Sequence, residues 1–590
     1  MVDSPLPYPA TAPTHLSSSS PSVPACLRQA DALAVAALAL VALAQGFFSV
    51  MLNRQYYATH APFYDSMAYN NYLAQVLTAS REHGVLEGLH TALYCSTVAL
   101  PYVLAALAGP WAATSRAVGV WLQAPWIFAL LVSCYSVFRI RSRAPPGMAF
   151  FLALPFTFIS AVYWISGGLS DFRMDLDNYL LSGCAVCWFV IALQTQRLSH
   201  WIICGAFAGL AALARATSPV FLCLIFAAIL IVQFARPSGD RKRTLIGVAS
   251  AGILAALIAG WFFALRYHDL YQYYVVWNPD ANAHLPLKTS ISHFRLAAEA
   301  AGRWTLLGCL AAVAVTVPWS APGMPWLKAR GFSLPWEFAI AAFVPAAFLA
   351  ARGAGLNPLV ALPATFGLVA LILGIRGNWS GLGRFRGMLA AVFLALGCGV
   401  TAMAGYALHA TAGGLQIAGY ATALEGVESD ASQHGISTAH LTAISVGDFC
   451  TDAVINVLVF NRGYSHLAGL TSSNGKLTFD ASRSTPFTGV TYGEWLEIPG
   501  ENDSQRIEHL VRTLNSSIDY VFIPSEATVT KLETRRGQNF INHYTRWLKS
   551  EILGNPAWKP ITEEIQMTAS ESYTVYVNRT RSVAIGGASL

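Results

Sequence analysis

The chain has 590 residues, of which 55% are hydrophobic and only 12% are charged, and its mean hydropathy is +0.47. Soluble domains do not reach such an average, so the composition predicts a polytopic membrane protein. Lys plus Arg exceed Asp plus Glu by 37 to 31. This excess lies largely in short loops between apolar segments, where it reports topology and gives no evidence for nucleic-acid binding.

The N-terminal part contains a polar tail, a first apolar span and a long polar loop. Residues 1–30 are rich in Ser, Pro and Ala, and we predict a disordered tail rather than a signal peptide. Residues 32–52 are long enough to cross a membrane as a helix. The loop 54–84 contains apolar residues at roughly helical spacing, which predicts a helix lying against the membrane surface with Asp65 near its start.

Residues 91–110 are apolar, and the distribution of basic residues decides whether they cross. If they cross, the cluster RIRSR at 139–143 falls on the same side as the loop that carries Asp65. If they lie at the interface or re-enter, all basic clusters fall on one side, as the positive-inside rule favours.

The second choice predicts eleven spans, with the N-terminus inside and the C-terminus outside. They are residues 32–52, 118–138, 147–166, 178–196, 201–215, 218–235, 245–266, 303–320, 335–351, 357–375 and 388–410. The loop with Asp65, the loop between the third and fourth spans, the loop after the seventh span and the C-terminal region then share the outer face.

The second outer loop, GGLSDFRMDLDNY at 167–179, concentrates acidic residues around Arg173. If the segment is helical, Asp171 and Asp175 share one face and repel each other unless a cation lies between them or one is protonated. A metal ion, a phosphorylated substrate held by arginine, or a proton relay would each explain the cluster, and an ordinary charged loop is the alternative. Asp177 is predicted to cap the fourth span.

The loop after the seventh span combines aromatic rings with charged groups and imidazoles, which suits the binding of sugars and phosphates. An aromatic belt at the membrane interface is the alternative. The residues concerned are His268, Asp269, Tyr271, Tyr274, Trp277 and Lys288. Two arginines, Arg215 in ARATSP and Arg352 in ARGAGLNP, are predicted at the same depth, where they either grip a lipid-linked phosphate or snorkel to the interface.

From about Gly413 the composition becomes that of a soluble domain. Segments 442–449, 519–525 and 572–578 are predicted strands, and RIEHLVRTLNS and FINHYTRWLKSEIL have helical periodicity. We therefore predict three regions: the tail 1–30, a transmembrane domain 31–412, and an α/β domain 413–590 outside the membrane.

The order of these segments resembles the integral-membrane GT-C glycosyltransferases, particularly the bacterial branch related to protein O-mannosyltransferases and lipid A aminoarabinose transferases. The similarity rests on PFYDSMAYNNYLA in the first outer loop, GGLSDFRMDLDNYLL in the second, ARATSPVFL between two spans, and LNPLVALPAT before a late span. Ser66 follows Asp65 where the family often has a second acidic residue, and the usual tyrosine before the late span is missing.

The resemblance implies inverting transfer of a sugar from a polyprenyl-phosphate donor to a glycan, lipid or protein acceptor on the periplasmic face of a bacterial inner membrane. Asp65 is then the expected catalytic base, with Tyr64 beside the substrate. The leaving phosphate is expected near Asp171, Arg173, Asp175, His268, Asp269, Lys288 or Arg352, and the alternative is a divalent ion, Mg or Mn, held by Asp171 and Asp175.

Two other classes of function remain open from the residues alone. A secondary transporter would also have many spans, but it is expected to carry ionisable residues in mid-span and often an internal repeat. A non-catalytic protein of envelope assembly would use the C-terminal domain for binding.

Overall fold

The computed structural model describes residues 25–61, 64–94, 98–112, 117–235, 241–271, 299–316, 335–352, 361–375, 379, 383–413, 416–436, 439–444, 458, 498–534, 543–568 and 571–581. Most of these residues are helical, and a small sheet lies near the C-terminus. The predicted class, a helical membrane protein with a C-terminal α/β region, is confirmed.

The described helices of the N-terminal three-quarters of the chain are α1 (Ala25–Tyr57), α2 (Tyr64–His83), α3 (Val85–Tyr94), α4 (Leu100–Ala108), α5 (Ala117–Arg141), α6 (Pro146–Ala153), α7 (Met174–Thr195), α8 (Leu198–Ala214), α9 (Ser218–Ala235), α10 (Arg241–Leu265), α11 (Tyr267–Tyr271), α12 (Arg303–Thr316), α13 (Trp336–Arg352), α14 (Ala361–Ile375) and α15 (Arg384–Thr411). The C-terminal region adds α16 (Ala418–Gln433), α17 (Asp503–Ser517), α18 (Glu526–Thr534) and α19 (Thr545–Gly554).

Within the described ranges, 6 helices are long and apolar enough to cross a membrane: α1, α5, α7, α9, α10 and α15. Shorter apolar helices overlap the other predicted spans, at Pro146–Phe156, Leu198–Ala214, Arg303–Thr316, Trp336–Ala347 and Ala361–Leu373. Each predicted span therefore overlaps one apolar helix, and the chain is a multi-pass membrane protein.

The third predicted span, residues 147–166, is wrong as a continuous helix. Helix α6 ends at Ala153, and two short 3-10 turns follow at Leu154–Phe156 and Ser160–Tyr163. Pro155 has no N–H to donate to the preceding turn, which disfavours continuation of the α-helix, and here the α-helix ends just before it. The chain from 154 to 173 is thereby free to form the non-helical path that carries the second outer loop.

Residues 91–110 are divided between α3, with 10 residues, and α4, with 9. At 1.5 Å per residue each helix is about 15 Å long or less, half of what a hydrocarbon core requires. Both pack beside α2, where the Ser80 hydroxyl donates to the Ala106 carbonyl at 2.6 Å and the Tyr102 hydroxyl to the Tyr69 carbonyl at 3.3 Å. This geometry agrees with a segment that does not cross alone.

The bundle has two distinct ends, which helix α5 connects. Gln123, near the start of α5, donates to the Asp171 carbonyl at 3.5 Å, while Arg139 near its end pairs with Asp31. Arg141 pairs with Glu337 at the start of α13. The sixteen residue-to-residue steps from Gln123 to Arg139 correspond to about 24 Å of helix. We call the end that contains residues 139–143 the basic end and the opposite end, which contains Asp171, the site end.

The C-terminal region contains β1 (Leu441–Ala443), β2 (Tyr520–Pro524), β3 (Trp558–Pro560), β4 (Ile565–Thr568) and β5 (Glu571–Asn578). Strands β1 and β2 are parallel, whereas β5 pairs antiparallel with β2, β3 and β4. The predicted strands at 519–525 and 572–578 are confirmed. Of the predicted strand 442–449, the part from 445 onward lies outside the described residues.

Polar contacts join helix α16 to this sheet and to the last described residues. The Tyr520 hydroxyl donates to Asp430 Oδ2 at 2.9 Å, and Arg579 binds the same carboxylate at 2.8 Å. Burial, together with the hydrogen bond to Asp430, raises the pKa of Tyr520 above its ordinary value, so the phenol keeps its proton. Helix α16, the element directly after the membrane domain, is thus fixed on the sheet.

Candidate functional site

The carboxylate of Asp171 is fully buried at the site end and accepts hydrogen bonds from three different elements. Its Oδ2 accepts from the Ser66 hydroxyl of α2 at 2.5 Å and from the Gly167 N–H at 2.8 Å. Its Oδ1 accepts from the Tyr57 hydroxyl, at the end of α1, at 3.3 Å. A carboxylate removed from water requires such donors, because an uncompensated buried charge is costly. Asp171 therefore connects α1, α2 and the second outer loop.

The helical face proposed for Asp171 and Asp175 is wrong. Helix α7 begins at Met174, and its N-cap residue, Arg173, has an extended backbone with φ −145° and ψ 134°. Asp171 therefore precedes the helix, while Asp175 lies in its first turn. The spacing of four residues therefore does not place them on one helical face, and the two carboxylates have different partners.

Asp175 pairs with two guanidinium groups. Its Oδ2 lies 2.9 Å from Arg173 Nε, and its Oδ1 pairs with Arg215, which directly follows α8. The Asp175 side chain is only 3% exposed, whereas those of Arg173 and Arg215 are 20% and 29% exposed. One buried carboxylate thus orients two arginines that still reach solvent, an arrangement suited to holding an anion.

The prediction that Asp177 caps α7 is also wrong. Asp177 is buried in the first turn, four residues after the actual cap, Arg173. Its neighbour Asn178 accepts from the Ser218 hydroxyl at 2.6 Å, and this bond joins the starts of α7 and α9. The segment 175–178 therefore joins the start of α7 to Arg215 and to the start of α9.

Side chains of helices α1, α5 and α15 contact the second outer loop. Asn53 of α1 donates to the Ser170 carbonyl at 2.6 Å, and the Ser170 hydroxyl is 2.9 Å from His409 Nε2 of α15. Arg173 donates to the Ser166 hydroxyl at 3.0 Å. Because α1, α5 and α15 all contact this short loop, its conformation is determined by the bundle.

Asp65 lies in the first turn of α2, as predicted, and Tyr64 is the first residue of that helix. Their side chains lie outside the described part of the structure. The next residue, Ser66, is the one that donates to Asp171. The backbone of Asp65 is therefore one residue away from the contact that joins the first and second outer loops.

The other predicted site residues are not brought to this cluster by any contact that the structure describes. His268, Asp269 and Tyr271 are exposed on the short helix α11, where Asp269 pairs with Arg266 at 2.7 Å. Tyr274, Trp277 and Lys288 lie outside the described residues. Arg352 is the last residue of α13, and its side chain also lies outside them.

The predicted metal pair does not fit this geometry. Asp175 faces two guanidiniums, which repel a cation, and both oxygens of Asp171 accept hydrogen bonds. Among the described residues, no group of three His, Cys, Asp or Glu side chains is arranged to hold a metal ion. Asp171 and Asp175 thus have separate roles, one in joining loops and the other in orienting arginines.

The residues that hydrogen-bond to the second outer loop are not predicted by the sequence. Ser66 marked a departure from the pattern of the resembled family, and it proves to be the donor to Asp171. His409 and Tyr57 lie 239 and 114 residues from their partners in the second outer loop, and no local pattern predicts such pairings. Arg215 was singled out by its depth, but its pairing with Asp175 was not predicted.

Comparisons with known proteins find similarity in structure but not in sequence. No protein-family model matches the chain, and no curated protein sequence matches it. The structure is similar to that of ArnT from Cupriavidus metallidurans bound to undecaprenyl phosphate, with a TM-score of 0.54 and 11% identity over 92% of this chain and 97% of that one.

Two further solved structures give lower scores. ArnT from the same organism in the apo state has a TM-score of 0.42 and 12% identity, covering 93% of this chain and 98% of that one. Arabinofuranosyltransferase AftD from Mycobacteria has a TM-score of 0.47 and 14% identity, covering 93% of this chain but only 40% of AftD. The likeness to undecaprenyl-phosphate-bound ArnT shows the fold, which is the GT-C fold that the resemblance predicted.

Proposed function

We propose that this protein is a membrane glycosyltransferase that moves a sugar from a polyprenyl-phosphate donor to an acceptor of the bacterial cell envelope. The observation that carries the proposal is the pair of guanidiniums on Asp175, located beside the loop whose Asp171 contacts the start of α2. The GT-C fold supports it, and the similar ArnT structure holds undecaprenyl phosphate.

The proposed reaction requires a base and a stabilised leaving group. Asp65 takes the proton of the acceptor as its oxygen or nitrogen bonds to the anomeric carbon from the face opposite the phosphate. The bond between that carbon and the phosphate oxygen breaks, so the configuration inverts and the polyprenyl phosphate leaves with its charge. Arg173 and Arg215 stabilise that charge because two oriented guanidiniums bind phosphate oxygens well.

The remaining predicted residues keep their proposed places around the substrates. His268, Asp269, Lys288 and Arg352 are candidates for further contacts with the phosphate. The aromatic residues Tyr64, Tyr271, Tyr274 and Trp277 are candidates for contacts with the sugar. A divalent ion at Asp171 and Asp175 is not included, because two guanidiniums occupy Asp175.

We place the site end on the periplasmic side of the inner membrane, with the N-terminus in the cytoplasm and the C-terminal region outside. The basic residues 139–143 lie at the opposite end of the bundle, and the positive-inside rule puts such residues on the cytoplasmic side. The apolar helices between the two ends offer the polyprenyl chain a lipid-facing surface, so the donor remains in the membrane.

The replacement Asp65→Asn tests the proposal. Purified protein in lipid vesicles is given a panel of undecaprenyl-phosphate sugars with envelope extract as acceptor, and the release of undecaprenyl phosphate is measured. We expect Asp65→Asn to slow release by about 100- to 10,000-fold, because the amide cannot take the proton. Binding of undecaprenyl phosphate itself should be unchanged.

The matched control is Glu82→Gln, which changes an exposed acid near the other end of α2 and should retain the wild-type rate. An undiminished rate in folded Asp65→Asn protein would show that Asp65 is not the base. If the wild-type protein releases undecaprenyl phosphate from no sugar in the panel, the proposed reaction itself is wrong.

A further inference from the structure

The short segment between α1 and α2 pairs with the segment that leads into the C-terminal region. The Ile417 N–H donates to the Thr59 carbonyl at 3.1 Å, and His60 forms an antiparallel bridge with Gln416. These contacts join residues more than 350 positions apart. They connect the membrane domain to the C-terminal region through backbone groups, so they do not depend on a particular side chain.

Ala61 belongs to the apolar core of the C-terminal region although it lies in the membrane domain's first loop. It is 3% exposed and is part of the same cluster of buried side chains as Ile417, Tyr420 and Met567. The start of α16 also lies against β4, since a Cβ at Gly419 would come within 2.1 Å of the Gln566 carbonyl oxygen. The loop is therefore held against a surface that is itself closely packed.

The same segment leads directly into the proposed active site. Asp65 is four residues after Ala61, so the intervening chain spans at most about 14 Å. On the other side, His60 stacks on Tyr56 with ring centroids 4.7 Å apart, and Tyr56 makes an edge contact with His409 at 6.2 Å. His409 in turn binds Ser170, the neighbour of Asp171. Both outer loops are thus connected to the segment 59–61.

We propose that the C-terminal region positions the start of α2, and that Thr59, His60 and Ala61 are positioning residues through which it acts. The inference rests on the proposed function for its kinetic consequence but not for its structural content. When the segment is docked, α2 presents Asp65 and Ser66 at a fixed distance from Asp171. When the segment is undocked, helix α2 loses that restraint. Arg173 and Arg215 remain bound to Asp175.

Because undocking affects α2 but not the arginines on Asp175, we expect it to lower the rate of transfer and to leave donor binding unchanged. Misplacing a catalytic group by about 1 Å can cost on the order of 100-fold in rate. The contacts of Arg173 and Arg215 with Asp175 do not involve residues 59–61. A C-terminal region that only recruited the acceptor would instead change the KM for the acceptor.

The variant Ala61→Glu introduces a charge into the apolar core and should undock the segment. We expect its kcat to fall by about 10- to 100-fold, with binding of undecaprenyl phosphate within about threefold of wild type. Amide hydrogen exchange in the first turns of α2 should become faster. The matched control is Leu514→Ala, which weakens a different core of the same region and should leave both properties near wild type.

A cross-link measures docking directly. Residues opposite each other in an antiparallel bridge have Cα atoms about 4.5–5.5 Å apart, which suits a disulfide between His60→Cys and Gln416→Cys. The oxidised double variant should turn over at the rate of its reduced form or faster. Adding Ala61→Glu should lower the cross-linked fraction, which peptide mass spectrometry quantifies.

Several results would overturn the inference. Cross-linked protein that is inactive until reduced would show that the segment must leave the C-terminal region during turnover. An unchanged kcat in Ala61→Glu would show that positioning is not needed, and an unchanged cross-linked fraction would show that Ala61 does not hold the segment. An equal loss of kcat in Leu514→Ala would indicate general unfolding of the region.

Failure of the proposed function remains distinguishable from failure of this inference. If wild-type protein transfers no sugar, hydrogen exchange of α2 still decides the structural statement. Faster exchange in Ala61→Glu but not in Leu514→Ala would support it, and unchanged exchange in Ala61→Glu would contradict it.

Discussion

The two ends of the helix bundle both pair carboxylates with arginines, but they balance charge differently. At the basic end, Arg139 binds both oxygens of Asp31, at 2.7 and 3.0 Å, and Arg141 binds both oxygens of Glu337, at 2.9 and 3.0 Å. Each of these guanidiniums has a carboxylate of its own. At the site end, the single carboxylate of Asp175 serves two guanidiniums.

This difference leads us to expect a structural role for the pairs at the basic end and a role in the proposed function for those at the site end. In each pair at the basic end, one guanidinium and one carboxylate balance each other's charge. The two pairs join α1 with α5 and α5 with α13. At the site end, by contrast, one buried carboxylate holds two guanidiniums in place. Both arginines at the site end are partly exposed, so our proposal that they contact the donor phosphate requires no rearrangement of buried groups.

Among variants that test the difference between the two ends, we expect Asp175→Asn to have the largest effect on the rate. The amide keeps the size of the side chain but no longer orients two cations by charge, so both arginines lose their fixed positions. We expect release of undecaprenyl phosphate to slow by about 100-fold or more. The matched change at the basic end, Asp31→Asn, should lower the thermal unfolding temperature in detergent while leaving kcat within about twofold of wild type. Equal kinetic losses in the two variants would remove the distinction between the ends.

Sequence reasoning predicted the fold from features that are local in the chain. Apolar runs indicated the helices, and the position of the basic residues 139–143 argued that 91–110 do not cross, in agreement with the short helices α3 and α4. The predicted strands at 519–525 and 572–578 correspond to β2 and β5. These signals are strong because each depends on the composition of a single segment.

The arrangement of the site depended on contacts that no single segment contains. The spacing of Asp171 and Asp175 suggested a shared helical face, yet α7 begins only at Met174, after an extended Arg173. What determines the roles of the two acids is their distant partners: Ser66 for Asp171 and Arg215 for Asp175. Tertiary contacts of this kind override local periodicity. The sequence therefore indicates that both acids matter, but it wrongly predicts that they share one helical face.

An intermediate effect is expected for Arg215→Lys, which keeps the charge but replaces the planar fork of donors with a single ammonium. Lysine cannot bind Asp175 and a phosphate oxygen in the same geometry, so we expect binding of undecaprenyl phosphate to weaken by about 10-fold. The paired variant Arg139→Lys loses a bidentate contact with Asp31 and should reduce stability without changing that binding. A titration of both variants in vesicles with undecaprenyl phosphate decides the matter. Unaltered binding in Arg215→Lys would exclude this arginine from the phosphate site.

The smallest expected effect concerns two serines of helix α2. Ser66 and Ser80 are both buried on α2, and their hydroxyls donate at 2.5 Å to Asp171 and at 2.6 Å to the Ala106 carbonyl, respectively. Replacing either serine by alanine removes one hydrogen bond and should destabilise the protein by about 1–2 kcal/mol. Only Ser66→Ala also releases the start of α2 from the second outer loop, so only this variant should lower kcat, by about three- to tenfold. Thermal unfolding and turnover of the two variants, measured side by side, separate the effects. Equal kcat values at equal loss of stability would mean that the contact between Ser66 and Asp171 serves the fold alone.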